Sequence, residues 1–262
     1  MPDAMIYLER LERRPPLGNA EVAYPFGVSS IAALRELDFS ADITFFVGEN
    51  GSGKSTLIEA LAIASQRPAI GERNPDIDPS LDPVRPLAES LRLRWKKRTA
   101  RGFFLRAEDF FNFSKRNRAI ESEMHGYAEE ASSPQQKAFF LGQAHAMRTR
   151  YDGDIQNRSH GEGFLQVFRS RIVPGGLYLI DEPEAAFSPS RQLAFLSLIK
   201  QAVADRCQFV IATHSPIILS YPGAAIWSFD TGEIRSAEYE QLEHVRLTRD
   251  FLASPDRYWR HL

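Results

Sequence analysis

Gly48-Glu-Asn-Gly-Ser-Gly-Lys-Ser-Thr56 puts glycines, a lysine and hydroxyls at a spacing that suits one chemistry, the grip of a polyphosphate. Glycines let the backbone curl until successive N–H groups face one anion, and a helix starting at the lysine adds its partial positive charge. Gly48, Asn50, Gly51, Ser52, Gly53, Lys54, Ser55 and Thr56 are therefore the candidate phosphate-binding residues. Lys54 would reach the β- and γ-phosphates, and the Ser55 hydroxyl would ligate Mg2+. With no N-K-x-D guanine-reading motif in the chain, the expected ligand is ATP with Mg2+.

About 130 residues further on, Leu177-Tyr-Leu-Ile-Asp-Glu-Pro-Glu184 runs four apolar residues into carboxylates. A strand ending in Asp181 beside the loop's own strand would bring that carboxylate to the metal. Glu182 would then lie where a water in line with the γ-phosphate can be oriented and deprotonated. Ile211-Ala-Thr-His-Ser215 ends another apolar run with His214 at the sheet's C-terminal edge, where open α/β sheets bind ligands, and His214 is the candidate γ-phosphate sensor. Arg158-Ser-His-Gly-Glu162 opens a helical stretch, and its Ser159 hydroxyl and the N–H groups around Gly161 could meet an anion. Glu182, His214 and Lys54 are the catalytic candidates; Ser55 and Asp181 are those for metal.

The elements needed to position these groups are legible nearby. Residues 43–47, 177–180 and 208–212 are short, continuous apolar runs, as expected of strands buried on both faces. Residues 55–65 and 190–203 have helical spacing, and helical material is expected over 108–124 and 135–150. The Pro-, Asp- and Gly-rich stretch 67–86 reads as an irregular loop or lid. LRLRW at 91–95 and GFFLRA at 102–107 are expected as a hairpin or neighbouring pair. Strand, helix, strand in this order predicts an α/β fold, a mostly parallel sheet with flanking helices and a short antiparallel and helical elaboration.

The 262 residues, 43% hydrophobic and 25% charged, match an ordinary globular composition and argue against disorder. A net charge of −2 implies no bulk attraction to nucleic acid or acidic lipid. The single cysteine, Cys207, excludes an intramolecular disulfide framework, fits a reducing compartment and is expected as buried filler. No apolar stretch approaches the roughly 20 residues of a membrane span, so the expectation is a cytoplasmic chain without direct membrane insertion.

The order of phosphate loop, RSHGE segment, DEP motif and strand-end histidine resembles the ATP-binding-cassette (ABC) ATPases over most of the chain. GENGSGKST and DEPEAAFSP are similar to the RecF, SMC and Rad50 branch and to small bacterial AAA-family ATPases. RSHGE and Ser188 depart from the transporter pattern, a Leu-Ser-Gly-Gly-Gln signature and an aspartate where Ser188 falls. The resemblance implies a single ABC-type domain over 1–262, with 67–150 as lid, hairpin and helical elaboration. It further implies ATP hydrolysis and an ATP-dependent homodimer in which Ser159 and Gly161 complete the partner's site. DNA repair or defence would be one use. Alternatives are an ATP-switched regulator of a partner protein or toxin, and the ATP-binding subunit of a membrane transporter.

Other residues keep two readings. The family's glutamine loop should fall near residues 104–108, where no glutamine occurs, and Glu108 is either its substitute or a surface carboxylate. Tyr24 or Phe26 would stack adenine or pack in the core. Residues 91–118 carry a net charge of +8 with Trp95, Phe103, Phe104, Phe110, Phe111 and Phe113 interleaved. That segment is either a DNA-binding face or a solvated hairpin whose aromatics are core.

Overall fold

A computed structural model describes residues 5–14, 23–70, 78–107, 119–120, 122–149 and 160–260. Two sheets organise them. The larger contains β3 (Ile43–Val47), β5 (Phe104–Arg106), β6 (Leu177–Asp181), β7 (Gln208–Ala212), β8 (Ala225–Ser228) and β9 (Arg235–Ser236) in the order β5-β6-β7-β3-β8-β9. All of its pairings are parallel except β8 with β9. The smaller is antiparallel, with β1 (Leu8–Arg13) between β2 (Glu36–Asp38) and β4 (Leu91–Trp95). The helices include α1 (Lys54–Ala64), α2 (Pro134–Thr149), α3 (His160–Arg171), α4 (Pro189–Ala204) and α5 (Glu243–Ala253).

The period-two geometry of a strand explains why the central runs are apolar throughout. Phe45, Tyr178, Ile180, Phe209 and Ile211 enter one core, and Phe46, Leu179, Val210 and Ala212 enter a second on the opposite face. The first core is covered by Phe164, Val167 and Phe168 of α3, Phe195 and Ile199 of α4, and Leu242 and Val245 at the start of α5. Rings interlock there, with Phe168 and Phe195 centroids 5.0 Å apart and Phe103 edge-on to Tyr178 at 4.8 Å. Truncating a ring so buried would cost roughly 3–5 kcal/mol. The second core is closed by Leu57, Ile58 and Leu61 of α1 and by Leu8, Leu11 and Leu37 of the small sheet. Gln208 joins the two sheets: its side-chain carbonyl accepts the N–H groups of Tyr7 and Leu8, and its amide donates to Leu8 O, each at 2.9 Å.

The mostly parallel α/β fold is as expected, and the strands at 43–47 and 208–212 fall where the apolar runs put them, while β6 extends one residue to Asp181. The expected pairing of 91–95 with 102–107 is wrong. β4 alternates half-buried and exposed residues and pairs with β1, whereas β5 is buried throughout and lies parallel to β6. Gly102 allows the separation: at φ +121°, it approaches so closely that a Cβ there would lie 1.8 Å from Leu177 O. The 67–86 stretch is not wholly irregular, since a 3-10 helix spans Pro79–Val84 and a short helix begins at Arg85. The described part of 108–124 is helical at 119–120 and 122–124, and its remainder lies outside the described residues. Strands β1, β2, β8 and β9 and helix α5 had no forecast. Cys207 is fully buried, as expected.

Candidate functional site

The chain from β3 into α1 forms the loop. Gly53 is the residue before the helix, with φ +102°, and a Cβ there would meet Ser30 Oγ at 2.6 Å. Only glycine fits that backbone and that approach. The Ser30 hydroxyl donates to Ser52 O, and Asp230 Oδ1 accepts the Glu49 N–H at 2.7 Å, so two distant segments hold the curl. Lys54, 3% exposed, folds back under the loop and donates to Gly48 O at 2.6 Å and Glu49 O at 3.0 Å. Burial lowers its pKa, opposed by the nearby charges of Glu182 and Asp181.

Strand β6 delivers Asp181 to this loop. Ser55 Oγ donates to Asp181 Oδ1 at 3.2 Å across 126 residues. Asp181 is pushed up to about 8, first by burial and then by the charges of Glu59 and Glu182. Beneath it the Arg106 guanidinium, in register with Asp181 on β5, pairs with Glu59 at 3.1 Å and Asp78 at 3.2 Å.

Glu182 takes a left-handed conformation, φ 48° and ψ 51°, while its N–H bonds to Ala212 O at 2.9 Å. Pro183 disfavours right-handed helical geometry in the residue before it, and the sheet bond holds the uncommon alternative. The half-exposed Glu182 carboxylate lies 3.9 Å from His214 Nε2. Glu184 turns inward: it accepts the Thr213 hydroxyl at 2.8 Å and the His214 N–H at 2.5 Å. Burial raises its pKa and those two bonds oppose the rise. The His214 imidazole is pushed below its ordinary value by burial and then by Lys54.

The structure thus gathers Gly48, Asn50, Gly51, Ser52, Gly53, Lys54, Ser55 and Thr56 in one loop and helix start, with Asp181, Glu182 and His214 at the ends of β6 and β7. Gly161 is in the first turn of α3, and Ser159 and Glu108 lie outside the described residues. Phe26 is buried in the second core beneath the Arg13 guanidinium. Tyr24 is 55% exposed, with its hydroxyl 3.3 Å from Thr56 Oγ1, so it alone of the two aromatics offers an open ring. Of the basic segment, Arg92, Arg94, Lys96, Lys97 and Arg98 are exposed, while Phe103 and Phe104 are core and Arg106 is buried. Lys115, Arg116, Arg118, Phe110, Phe111 and Phe113 lie outside the described residues. Sequence reasoning missed Glu184 and Asp230 as supports. Glu184 stood visibly beside the DEP motif, whereas nothing local marked Asp230.

A triphosphate with a divalent cation fits these groups. Ser52 Oγ and His214 Nε2 are enclosed without a hydrogen-bond partner among the described residues. The crowded carboxylates around Asp181 would be relieved by a cation. No group of three or more His, Cys, Asp and Glu suited to holding a metal by itself occurs among the described residues.

A phosphate loop between β3 and α1, an Asp-Glu strand end and a strand-end histidine on one mostly parallel sheet define a P-loop nucleotide-binding α/β fold. Residues 43–91 and 68–220 match the family described as "AAA domain, putative AbiEii toxin, Type IV TA system", and the chain belongs to that family. Among solved structures, it is similar to the SMC head domain from Thermotoga maritima, at 14% identity over 89% of this chain and 100% of that one, TM-score 0.46. It is also similar to cbiO1 from Clostridium perfringens, part of the ABC transporter complex cbiONQ, at 13% identity over 98% and 100%, TM-score 0.45. A third is MJ1267 in its ADP conformation, an ATP-binding cassette of an ABC transporter, at 16% identity over 97% of each chain, TM-score 0.47. No curated protein matches the sequence. Among the described residues, no helix is long and apolar enough to cross a membrane.

Proposed function

We propose that this chain binds and hydrolyses ATP and that ATP closes a head-to-head homodimer, making the protein a nucleotide-driven switch. The observation that carries the reading is the 3.2 Å bond from Ser55 to Asp181 above buried Lys54, which joins the phosphate loop to the DEP strand. Lys54 exchanges its bonds to Gly48 O and Glu49 O for the β- and γ-phosphate oxygens. Tyr24 offers its exposed ring to adenine. Ser55 and Asp181 hold magnesium, which when bound offsets charge on the phosphate oxygens. Glu182 orients the attacking water and accepts its proton, and His214 hydrogen-bonds the γ-phosphate. Ser159 and the N–H groups around Gly161 contact the γ-phosphate held by the other subunit, so ATP joins the heads and ADP does not.

The family description, which names a type IV toxin–antitoxin system, is the observation behind a second reading, an ATP-switched regulator of a partner protein or toxin. A role on DNA, in repair or defence, would use the exposed row Arg92, Arg94, Lys96, Lys97 and Arg98.

The test is ATP turnover and light-scattering mass with ATP and Mg2+, with and without DNA. Lys54→Ala should abolish turnover. Glu182→Gln should retain ATP, slow hydrolysis at least a hundredfold, as loss of a general base does, and accumulate as a dimer. Unchanged turnover in Lys54→Ala, or a Glu182→Gln protein that stays monomeric with ATP bound, would overturn the reading.

A further inference from the structure

His214 has a counterpart that no sequence motif marks. His244 is in the first turn of α5, flanked by Leu242 and Val245, which are buried in the core beneath β3, β6 and β7. The turn before α5 is tied to the segment after His214 by the Tyr239 hydroxyl, which donates to Pro216 O at 3.0 Å. This bond and those two side chains fix the start of α5 beside the end of β7.

The side chain is half-buried, and its Nε2 is enclosed without a hydrogen-bond partner among the described residues, as is Nε2 of His214. The charges that act on His244 are those of Asp230, Glu49 and Lys54. Those that act on His214 are Lys54, Glu182, His244 and Glu49. Lys54 and Glu49 act on both imidazoles and His244 acts on His214, so the two rings share one electrostatic neighbourhood at the phosphate loop, with Glu182 acting on His214 and Asp230 on His244. Asp230 is already bonded to the Glu49 N–H and to the Ser228 hydroxyl.

An enclosed imidazole nitrogen with no partner forfeits the hydrogen bond that water would give it. Two such nitrogens, both within the field of Lys54, call for an anionic acceptor, and the terminal phosphate of ATP is an acceptor of that kind. Burial holds His244 below the ordinary imidazole value, while Asp230 and Glu49 oppose that shift. Added phosphate charge would favour the protonated, doubly donating ring.

We infer that His244 is a second phosphate-contacting histidine of this site, hydrogen-bonding the terminal phosphate of ATP from the start of α5. This rests on the nucleotide-binding reading above. It makes α5 part of the site, so that this helix reports whether the third phosphate is present.

Calorimetry on the full chain with Mg2+ tests it, using ADP and a non-hydrolysable ATP analogue. His244→Ala should weaken the analogue about tenfold, the worth of one charge-assisted hydrogen bond, and leave ADP unchanged. His244→Gln, which keeps an N–H donor, should recover part of the loss. Equal losses for both nucleotides would make His244 a packing residue, and no loss for either would deny the contact; each outcome overturns the inference. A wild type that binds neither nucleotide would instead overturn the nucleotide-site reading itself. If His244→Ala fails to fold, the wild type answers alone. Its His244 ring nitrogens, followed by 1H–15N NMR, should shift with the analogue and not with ADP, and an unmoved signal overturns the inference.

Discussion

The Glu184 carboxylate receives the backbone N–H of His214 at 2.5 Å and, through its other oxygen, the Thr213 hydroxyl at 2.8 Å. The segment after β6 and the end of β7 are thereby one unit. Glu182, two residues earlier on the same turn, comes within 3.9 Å of the His214 ring because of it. The buried Gln192 side chain extends the unit by accepting the Ser215 hydroxyl.

Removing that clamp should separate positioning from binding. Glu184→Ala leaves the His214 N–H and the Thr213 hydroxyl without their acceptor, at roughly 3–6 kcal/mol for two bonds to a charged group. The melting temperature should fall by about 6–24 °C. ATP turnover should drop at least tenfold, with ADP affinity unchanged, because Glu184 bonds to the β7 end and not to the phosphate loop. Glu184→Gln keeps one carbonyl acceptor and should lie between. Calorimetry and steady-state kinetics on both variants check this, and a turnover loss matched by lost ADP affinity would refute the positioning role.

The carboxyl of Asp181 makes stability depend on pH. Its ordinary value of 3.8 rises to about 8 in the folded chain. Between those values the folded state holds a proton that the unfolded chain has released, so stability falls as pH rises. The loss begins above about 4 and is complete once pH passes the folded value. Asp181→Asn lacks the titrating group. Its melting temperature minus that of wild type should therefore be smallest near the acid end, grow through neutral pH and level off above about 8. Thermal melts without nucleotide across pH measure this. Adding Mg2+ with ATP should stabilise the wild type and not the variant.

Arg106 should prove structural yet close to the chemistry. Its guanidinium is buried between Glu59 and Asp78 and also donates to Ser80 Oγ at 3.1 Å. Arg106→Met withdraws the cation from two largely buried carboxylates, a change worth roughly 3–5 kcal/mol. The melting temperature should fall by about 6–20 °C. Glu59→Gln, by contrast, removes a charge that raises Asp181, so it should move the pH dependence of stability toward acid. Melts of each variant across pH distinguish the two effects.

The chemistry of the phosphate loop was legible in the chain because its parts are contiguous. GENGSGKST needs only a strand before it and a helix after it, and both are written beside it as ITFFV and STLIEALAIAS. The central strands were equally plain, since burial on both faces leaves an unbroken apolar run. Periodicity also placed most of α2, α3 and α4.

What the tertiary structure alone decided is which distant segments support that loop. Asp230 meets Glu49 across 181 residues, Ser55 meets Asp181 across 126 and Gln208 meets Leu8 across 200. Such pairs leave no spacing in the chain, because their proximity follows from strand order. β8 must lie beside β3 before Asp230 can reach the loop, and the start of α5 must pack on the core before it can sit beside the segment that follows His214. The same reason separates β4 from β5: both are short strands mixing arginine with leucine and an aromatic residue, and only exposure on one face against burial on two assigns each to its sheet.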